Sequence, residues 1–163
     1  MLGKRFFITI ILVPALMAGL PGHAQFSSPS EPSLSATTVP RAQLVQPAEM
    51  VRMLKASGAE RPILFQVGSY VMFQQAHIPD SRFAGPGSQA TGLLLLEKLV
   101  APIPKTQLVV LYCGCCPWNR CPNIGPAYKR LRDLGFTNVK ALYLANNFGD
   151  DWVAKGYPVE KGE

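Results

Sequence analysis

The chain has 163 residues, which suits one folded domain with a single core, and its 16 basic and 10 acidic residues give a net charge of +6. The basic cluster of Lys129, Arg130 and Arg132 has no stacking aromatic residues interleaved at regular spacing, so we predict no nucleic-acid partner. A solvated basic face, or small anionic substrates, accounts for the excess charge.

The N-terminal residues 1–24 have the features of a secretory signal peptide. A charged start precedes an apolar run over residues 6–20, and small residues lead up to a predicted cleavage after Ala24. The alternative is an uncleaved membrane anchor, but Pro14 interrupts a run already shorter than the roughly 20 apolar residues that a span needs. We expect a periplasmic or secreted protein that contacts a membrane only during export.

Residues 25–43 are rich in Ser, Pro and Thr and nearly free of large apolar side chains. Such composition is typical of a disordered linker. We therefore predict that the folded domain comprises residues 44–163.

Within this domain, short apolar segments alternate with amphipathic ones. We predict strands at 44–45, 63–67, 108–112 and 139–144, and helices at 47–55, 92–100, 124–134 and 150–155. Residues 74–81 are predicted to form an irregular loop. The helix at 92–100 is predicted to be buried, with leucines 93–96 all in the core. Alternating strands and helices predict an α/β fold with a parallel sheet and helices on both faces. In such sheets ligands bind beyond the carboxyl ends of the strands.

All four cysteines follow the strand at 108–112, in the segment from Cys113 to Cys121. Asn123 is the predicted N-cap of the next helix, and Gly135 its end. A strand, a tight loop and a helix start direct backbone N–H groups and the positive end of the helix dipole at the loop, which favours an anion there. We expect this environment to hold Cys113 as a thiolate, so the loop is a candidate reactive-sulfur or metal site.

Export would place these cysteines in an oxidising compartment, where four thiols leave three complete disulfide pairings open. Bonds between such close neighbours would close very small loops and contribute little chain-entropy stabilisation. The cysteine cluster therefore indicates chemistry more than structure.

Four segments in the expected order resemble the rhodanese family and together cover nearly all of residues 44–162. They are Gln75-Ala76-His77-Ile78-Pro79-Asp80-Ser81, similar to a Gly-His-Ile-Pro-Gly-Ala segment; Val109 to Cys113, similar to the strand before the catalytic cysteine; Leu131 to Val139, similar to a helix, Gly-Phe turn and final strand; and Trp152 to Val159, similar to the closing signature. The resemblance implies a single rhodanese-like α/β domain.

The chain also departs from that family in three places. Gln66 and Gly68 stand where Asp and Arg are common, and Asn146-Asn147 stands near the place of a usual Gly-Gly. The cysteine loop is about five residues longer than in typical members, so their compact anion cradle does not transfer directly.

The resemblance implies a sulfurtransferase of the thiosulfate sulfurtransferase type. Cys113 would attack the outer sulfur of a small anionic donor such as thiosulfate and hold it as a persulfide, which a thiol or cyanide acceptor would remove. The predicted substrate-binding residues are those of the loop, with Arg120 as the cation for the donor: Gly114, Cys115, Cys116, Pro117, Trp118, Asn119 and Arg120.

The additional thiols Cys115, Cys116 and Cys121 are candidates to relay the sulfur or to resolve it as a disulfide, with a periplasmic thiol protein as a possible partner. We predict no cofactor. The main alternative is a zinc, copper(I) or iron–sulfur site, for which Cys113, Cys116 and Cys121 are the candidate ligands. Thiol–disulfide redox activity, phosphate or arsenate chemistry in the long loop, and a non-catalytic domain also stay open.

Overall fold

A computed structural model describes residues 38–58 and 61–162. The predicted signal peptide, and the predicted linker as far as residue 37, lie outside the described residues. No helix among the described residues combines the length and the apolar character needed to cross a membrane.

The described part of the chain forms a five-stranded parallel sheet in the order β1-β5-β4-β2-β3. The strands are β1 Leu44–Val45, β2 Ile63–Gln66, β3 Arg82–Phe83, β4 Val109–Tyr112 and β5 Val139–Leu142. β4 is the central strand, and all four of its residues are buried. The predicted parallel α/β architecture is confirmed.

Helices cover both faces of this sheet. They are α1 Pro47–Met53, α2 Tyr70–Gln75, α3 Ala90–Val100, α4 Ile124–Asp133 and α5 Phe148–Asp151, with 3-10 turns at Arg41–Gln43, Trp118–Arg120 and Val153–Lys155. Because successive side chains of a strand point to opposite faces, Val109 and Leu111 join the core with α3 and α4, whereas Val110 and Tyr112 join the core with α1 and α5.

The predicted irregular loop at 74–81 is partly wrong, because Gln74 and Gln75 form the last turn of α2. Buried Phe73 anchors this short helix, and its ring stacks on His77 at 4.0 Å between ring centroids. The backbones of His77 and Glu160 exchange two hydrogen bonds of 2.9 Å, which hold the C-terminal segment against the loop. Helix α2 is therefore defined by tertiary packing and not by a periodic pattern in the sequence.

The predicted helix at 92–100 is confirmed, but its four leucines are not all core. Leu96 is buried, whereas Leu94 is 54% exposed and Leu95 is 36% exposed. A helix has 3.6 residues per turn, so four successive side chains cannot all face the sheet.

The folded unit begins before the predicted boundary at residue 44. Val39 is buried in the core that contains α3 and α4, and Arg41–Gln43 form a 3-10 turn closed by a 2.8 Å bond from the Gln43 N–H to the Pro40 oxygen. The last residues of the predicted linker are thus ordered, because Val39 provides the apolar anchor.

Candidate functional site

Cys113 directly follows the central strand β4, at the carboxyl end of the sheet, and its side chain is buried. Gln66, the last residue of β2, pairs with Tyr112 in the sheet register and donates a 3.5 Å hydrogen bond to the Cys113 carbonyl oxygen. Its Oε1 accepts a 3.1 Å bond from the Gly68 N–H. A Cβ on Gly68 would lie 2.9 Å from the Cys113 Sγ, so glycine leaves the space that the sulfur occupies.

The four cysteines are free thiols and lie close together. The Sγ of Cys113 is 3.1 Å from the Sγ of Cys115, which is 3.3 Å from the Sγ of Cys116. The sulfurs of Cys113, Cys115 and Cys121 all lie within 4.8 Å of one another. The candidate ligand set named from the sequence included Cys116 in place of Cys115; the structure corrects it, because the turn after β4 points Cys115 at Cys113.

Asn123 holds this cluster from the side opposite the turn. Its Nδ2 donates to the Cys113 Sγ at 3.3 Å and to the Cys115 Sγ at 3.8 Å. Its Oδ1 accepts hydrogen bonds from the N–H and the Oγ of Ser88, at 3.1 and 2.8 Å. Asn123 is the N-cap residue of α4 as predicted, but its backbone is helical and its side chain makes no cap hydrogen bond, because the amide contacts the sulfurs and Ser88.

The start of α4 is directed at Cys121, whereas the sequence predicted Cys113. The backbone N–H groups of Asn123 and Ile124 interact with the Cys121 sulfur and lower its pKa. Because the loop of residues 114–123 is long, Cys121 near its C-terminal end lies at the start of α4, whereas Cys113 lies at the end of β4. Cys121 nevertheless has a raised pKa: contact with Cys113 lowers it, but the contact with Cys115 and burial outweigh that effect.

The sulfurs of this cluster shift one another's pKa. Contacts with Cys113 and Cys121 hold the pKa of Cys115 well below its usual range. The contact with Cys115, then that with Cys121, and then burial raise the pKa of Cys113. Burial and contact with Cys115 also raise the pKa of Cys116. These directions favour negative charge on Cys115 over the Cys113 thiolate predicted from the sequence, and either sulfur can be the donor in their 3.1 Å contact.

The first loop residues attach the loop to the sheet and to α5. Gly114 has a φ of +78°, and its carbonyl oxygen accepts a 3.0 Å bond from the Phe148 N–H. The Trp118 N–H bonds to the Ala145 oxygen at 3.2 Å, and the Trp118 ring lies 5.3 Å from that of Tyr143 between ring centroids. These contacts fix the loop between strand β5 and helix α5.

A cavity of about 150 Å³ lies beside Cys113. Its walls come from β2, α2, β4 and α5 and include Gln66, Met72, Gln75, Tyr112, Phe148 and Val153. Cys113 is the one predicted site residue that lines it, because the loop residues from Gly114 onward turn away towards β5. Pro117, Asn119 and Arg120 are exposed, so the predicted cation for the donor is not part of this cavity.

Sequence reasoning missed the cavity walls on α2 and α5. One signal was available: Gln66 is a polar residue at the end of the apolar strand Ile63–Gln66. This strand lies beside β4, the strand that leads to Cys113, in the sheet. A buried polar side chain at that position needs a hydrogen-bonding partner, and the ends of parallel strands are where ligands bind. Met72, Gln75 and Phe148 carried no comparable signal.

No protein-family model matches the sequence, and a search of curated proteins found no match. Solved structures are similar in fold. The BH2092 protein from Bacillus halodurans is 23% identical with a TM-score of 0.55, over 72% of this chain and 75% of that one. The Alr3790 protein from Anabaena sp. is 18% identical with a TM-score of 0.54, over 72% of this chain and 82% of that one.

A third similar structure is a variant of EanB that carries a cysteine persulfide, in a tetrahedral intermediate state with ergothioneine. It is 20% identical with a TM-score of 0.54, and the match covers 74% of this chain but 32% of EanB. The Anabaena protein contains a Rhodanese_3-like domain. The fold of this chain is similar to that of the Anabaena protein and is thus rhodanese-like, in agreement with the four sequence segments.

Proposed function

We propose that this protein is a sulfurtransferase that moves sulfane sulfur from a small anionic donor, such as thiosulfate, to a thiol or cyanide acceptor through a persulfide on Cys113. One observation carries the proposal: the Cys113 Sγ lines a cavity of about 150 Å³ and lies 3.1 Å from a second sulfur, that of Cys115. The cysteine persulfide in the similar EanB structure supports this chemistry on a rhodanese-like fold.

In the first step the proton shared between the Cys113 and Cys115 sulfurs moves to Cys115, against the pKa order of the resting site, and the Cys113 Sγ attacks the outer sulfur of the donor. A bond forms between Cys113 and that sulfur, the S–S bond of thiosulfate breaks, and sulfite leaves with the electron pair. A nucleophile within hydrogen-bond reach of its base is the arrangement that such covalent catalysis requires. The 3.1 Å separation of the two sulfurs meets this requirement.

In the second step an acceptor thiolate or cyanide attacks the outer sulfur of the persulfide. The S–S bond breaks, Cys113 leaves as a thiolate, and the proton returns from Cys115. The cavity is smaller than typical pockets for drug-sized ligands, which are about 300–1,000 Å³, so a small donor and a narrow acceptor suit it. The carboxamide of Gln75 in its wall offers N–H donors to the outgoing anion, whereas the Nε2 of Gln66 already donates to the backbone oxygens of Ser69 and Cys113.

Thiol–disulfide exchange is a second candidate function, favoured by the chain of short sulfur contacts from Cys113 to Cys115 and on to Cys116. Attack of the Cys115 thiolate on the inner sulfur of a Cys113 persulfide would form a disulfide between the two residues and release hydrosulfide. A thiol protein would then reduce that disulfide. This path links sulfur transfer to a partner in the compartment that we propose, the periplasm.

The test is thiocyanate formation from thiosulfate and cyanide by the purified, reduced protein. We expect turnover by the wild type and none by Cys113→Ser. Cys115→Ser should be slower by about a hundredfold, since positioned general bases typically contribute about 10²–10⁴-fold. The proposal fails if the wild type forms no thiocyanate after incubation with thiosulfate or with polysulfide.

Cys116→Ser is the matched control, because it removes a thiol of the same loop that is neither at the cavity nor in direct contact with Cys113 in the described geometry. We expect its thiocyanate formation to stay within about threefold of the wild type, since non-additive context effects reach factors of 2–3. If Cys116→Ser lost as much thiocyanate formation as Cys113→Ser, Cys113 would not be established as the nucleophile.

A further inference from the structure

The sulfurs of Cys113, Cys115 and Cys121 form a compact group in which each residue offers one ligand atom and all three atoms lie within 4.8 Å of one another. Cys113 and Cys121 are buried, and Cys115 is half-buried. Thiolate groups are the ligands that soft metal ions prefer. We propose that this three-sulfur group binds one copper(I) ion, a property that does not depend on sulfur transfer.

Each sulfur of the group already has an N–H donor or a sulfur neighbour around it. The Asn123 Nδ2 faces Cys113 and Cys115, at 3.3 and 3.8 Å. The backbone N–H groups of Asn123 and Ile124 interact with Cys121 at the start of the ten-residue helix α4. Such outer-shell donors orient thiolate ligands and offset their negative charge, so the ligands are held in place before a metal arrives.

The number of ligands at the group selects the metal. Structural zinc sites are almost always four-coordinate, and the described residues contribute three sulfurs and no His, Asp or Glu to this group. Iron–sulfur clusters are usually held by four cysteine thiolates, one more than this group offers. Copper(I) forms stable three-coordinate thiolate complexes, so it fits the ligand count.

Metal binding at this place has a consequence for the site. Any of the three cysteines that is still protonated must release its proton when it becomes a ligand. A Cys113 sulfur bound to copper would share its charge with the metal and be a weaker nucleophile, so a copper-loaded chain should accept sulfur from a donor more slowly than the metal-free chain. The cluster would then exist in two competing states, one that binds metal and one that carries sulfur.

The test uses the reduced full-length chain under oxygen-free conditions, titrated with copper(I) against the chromophoric chelator bicinchoninate. We expect the chain to withdraw one equivalent of copper, and the X-ray absorption spectrum of the product to show three sulfur neighbours around the metal. Zinc(II) should compete at least about tenfold more weakly, since copper binds ahead of zinc in the divalent series and thiolates favour the monovalent ion further.

Two variants separate this site from general thiol affinity. In Cys121→Ser we expect two sulfur neighbours and an affinity about a hundredfold lower, because even outer-shell changes cost about 10- to 100-fold. Cys116→Ser keeps all three ligands, so it should show three sulfur neighbours and lose less affinity than Cys121→Ser, although the Cys116 sulfur contacts that of Cys115 at 3.3 Å. The proposal is overturned if the chelator keeps all the copper, or if Cys116→Ser loses as much affinity as Cys121→Ser.

The outcome is distinguishable from that of the sulfur-transfer proposal. Metal-free samples of the same preparations are treated with thiosulfate, and persulfide is measured by intact mass. A chain that gains sulfur but binds no copper refutes the metal site alone, and a chain that binds copper but gains no sulfur refutes the proposed function alone.

Discussion

Asn123 connects the sulfur cluster to the rest of the domain through both ends of its side-chain amide. The two hydrogen bonds that Ser88 donates to Oδ1 fix which way the amide faces, so that Nδ2 must point to the sulfurs of Cys113 and Cys115. Because Nδ2 is a donor and Oδ1 is not, this orientation stabilises an anionic sulfur. Ser88 therefore acts on the cluster without touching it.

We predict that Asn123→Ala lowers the rate of sulfur loading from thiosulfate by about ten- to hundredfold. It removes a hydrogen bond to a sulfur that becomes anionic, worth about 1.5–3 kcal/mol, and each 1.36 kcal/mol is about tenfold in rate. It also leaves the Ser88 N–H without its acceptor and should lower the free energy of unfolding by about 1–3 kcal/mol. Loading is measured by intact mass and stability by urea denaturation.

Ser88→Ala is the control for that variant. It removes the 2.8 Å bond from the Ser88 Oγ but keeps the backbone bond to Asn123, so the amide should keep its orientation. We expect a loss of about 0.5–1.5 kcal/mol in stability with little change in loading rate. Equal loading rates in Asn123→Ala and in Ser88→Ala would show that the amide does not act on the sulfurs.

Single residues at the site were only partly predictable from the sequence. The position of Cys113 followed from local pattern, because an apolar strand followed by a helix puts the intervening residue at the sheet edge. The thiolate could not be placed on Cys115 in the same way, since that depends on distances between sulfurs across a long loop. Asn123 has the residue type of an N-cap, and its contact with Ser88, far away in the chain, carries no local signal.

At the scale of elements, the loop after β4 is held by its docking on α5. Gly114 makes this possible because it has a left-handed backbone, with φ of +78°, and no Cβ where Phe148 approaches. A Cβ at this position would lie 2.5 Å from the Phe148 Cβ and 3.1 Å from its backbone nitrogen. The close approach places Phe148 in the wall of the cavity beside Cys113.

We predict that Gly114→Ala destabilises the protein by about 1–3 kcal/mol more than Gly135→Ala. Gly135 also has a left-handed backbone, with φ of +85°, but a Cβ there meets nothing within 4 Å. The two variants share the backbone strain, of about 1–2 kcal/mol, and differ by the clash with Phe148. Urea denaturation measures the difference, and equal losses would contradict the docking described here.

Elements with a clear sequence pattern were predicted, and the others were not. Strands β2, β4 and β5 are apolar runs, and α4 has an amphipathic pattern with Gly135 after it, so their order and parallel pairing followed. Helix α2 has only six residues and no pattern that separates it from a loop. Its existence depends on the packing of Phe73 and on the C-terminal segment, whose Gly162 N–H bonds to the Gln74 oxygen.

At the scale of the whole molecule, the core on the α3 and α4 face of the sheet extends to residues before β1. Val39 is 4% exposed and packs into the same cluster as Leu111 and Cys113. The sequence did not predict this contact, because one valine hardly changes the mean composition of a segment rich in Ser, Pro and Thr. Among the described residues, the fold thus reaches back at least to Val39 through an apolar contact that composition cannot show.

We predict that Val39→Ala lowers the free energy of unfolding by about 2 kcal/mol, because it removes buried methyl groups worth about 0.8 kcal/mol each and leaves a cavity. Val71→Ala is the matched control: Val71 is 62% exposed on α2, and its effect should stay within about 0.5 kcal/mol. Chemical denaturation of both variants gives the comparison. If Val39→Ala were as stable as Val71→Ala, residues 38–43 would not contribute to the stability of the fold and would belong to the predicted linker.

We propose that the parallel sheet presents Cys113 to the cavity, with Cys115 beside it, as the sulfur that carries the transferred atom. The most direct test is peptide-resolved mass spectrometry of the wild-type chain after brief exposure to thiosulfate, with thiols alkylated at once to trap persulfides. We predict one added sulfur atom per chain, located on Cys113. An added sulfur located on Cys116, or a chain that gains none, would contradict the account.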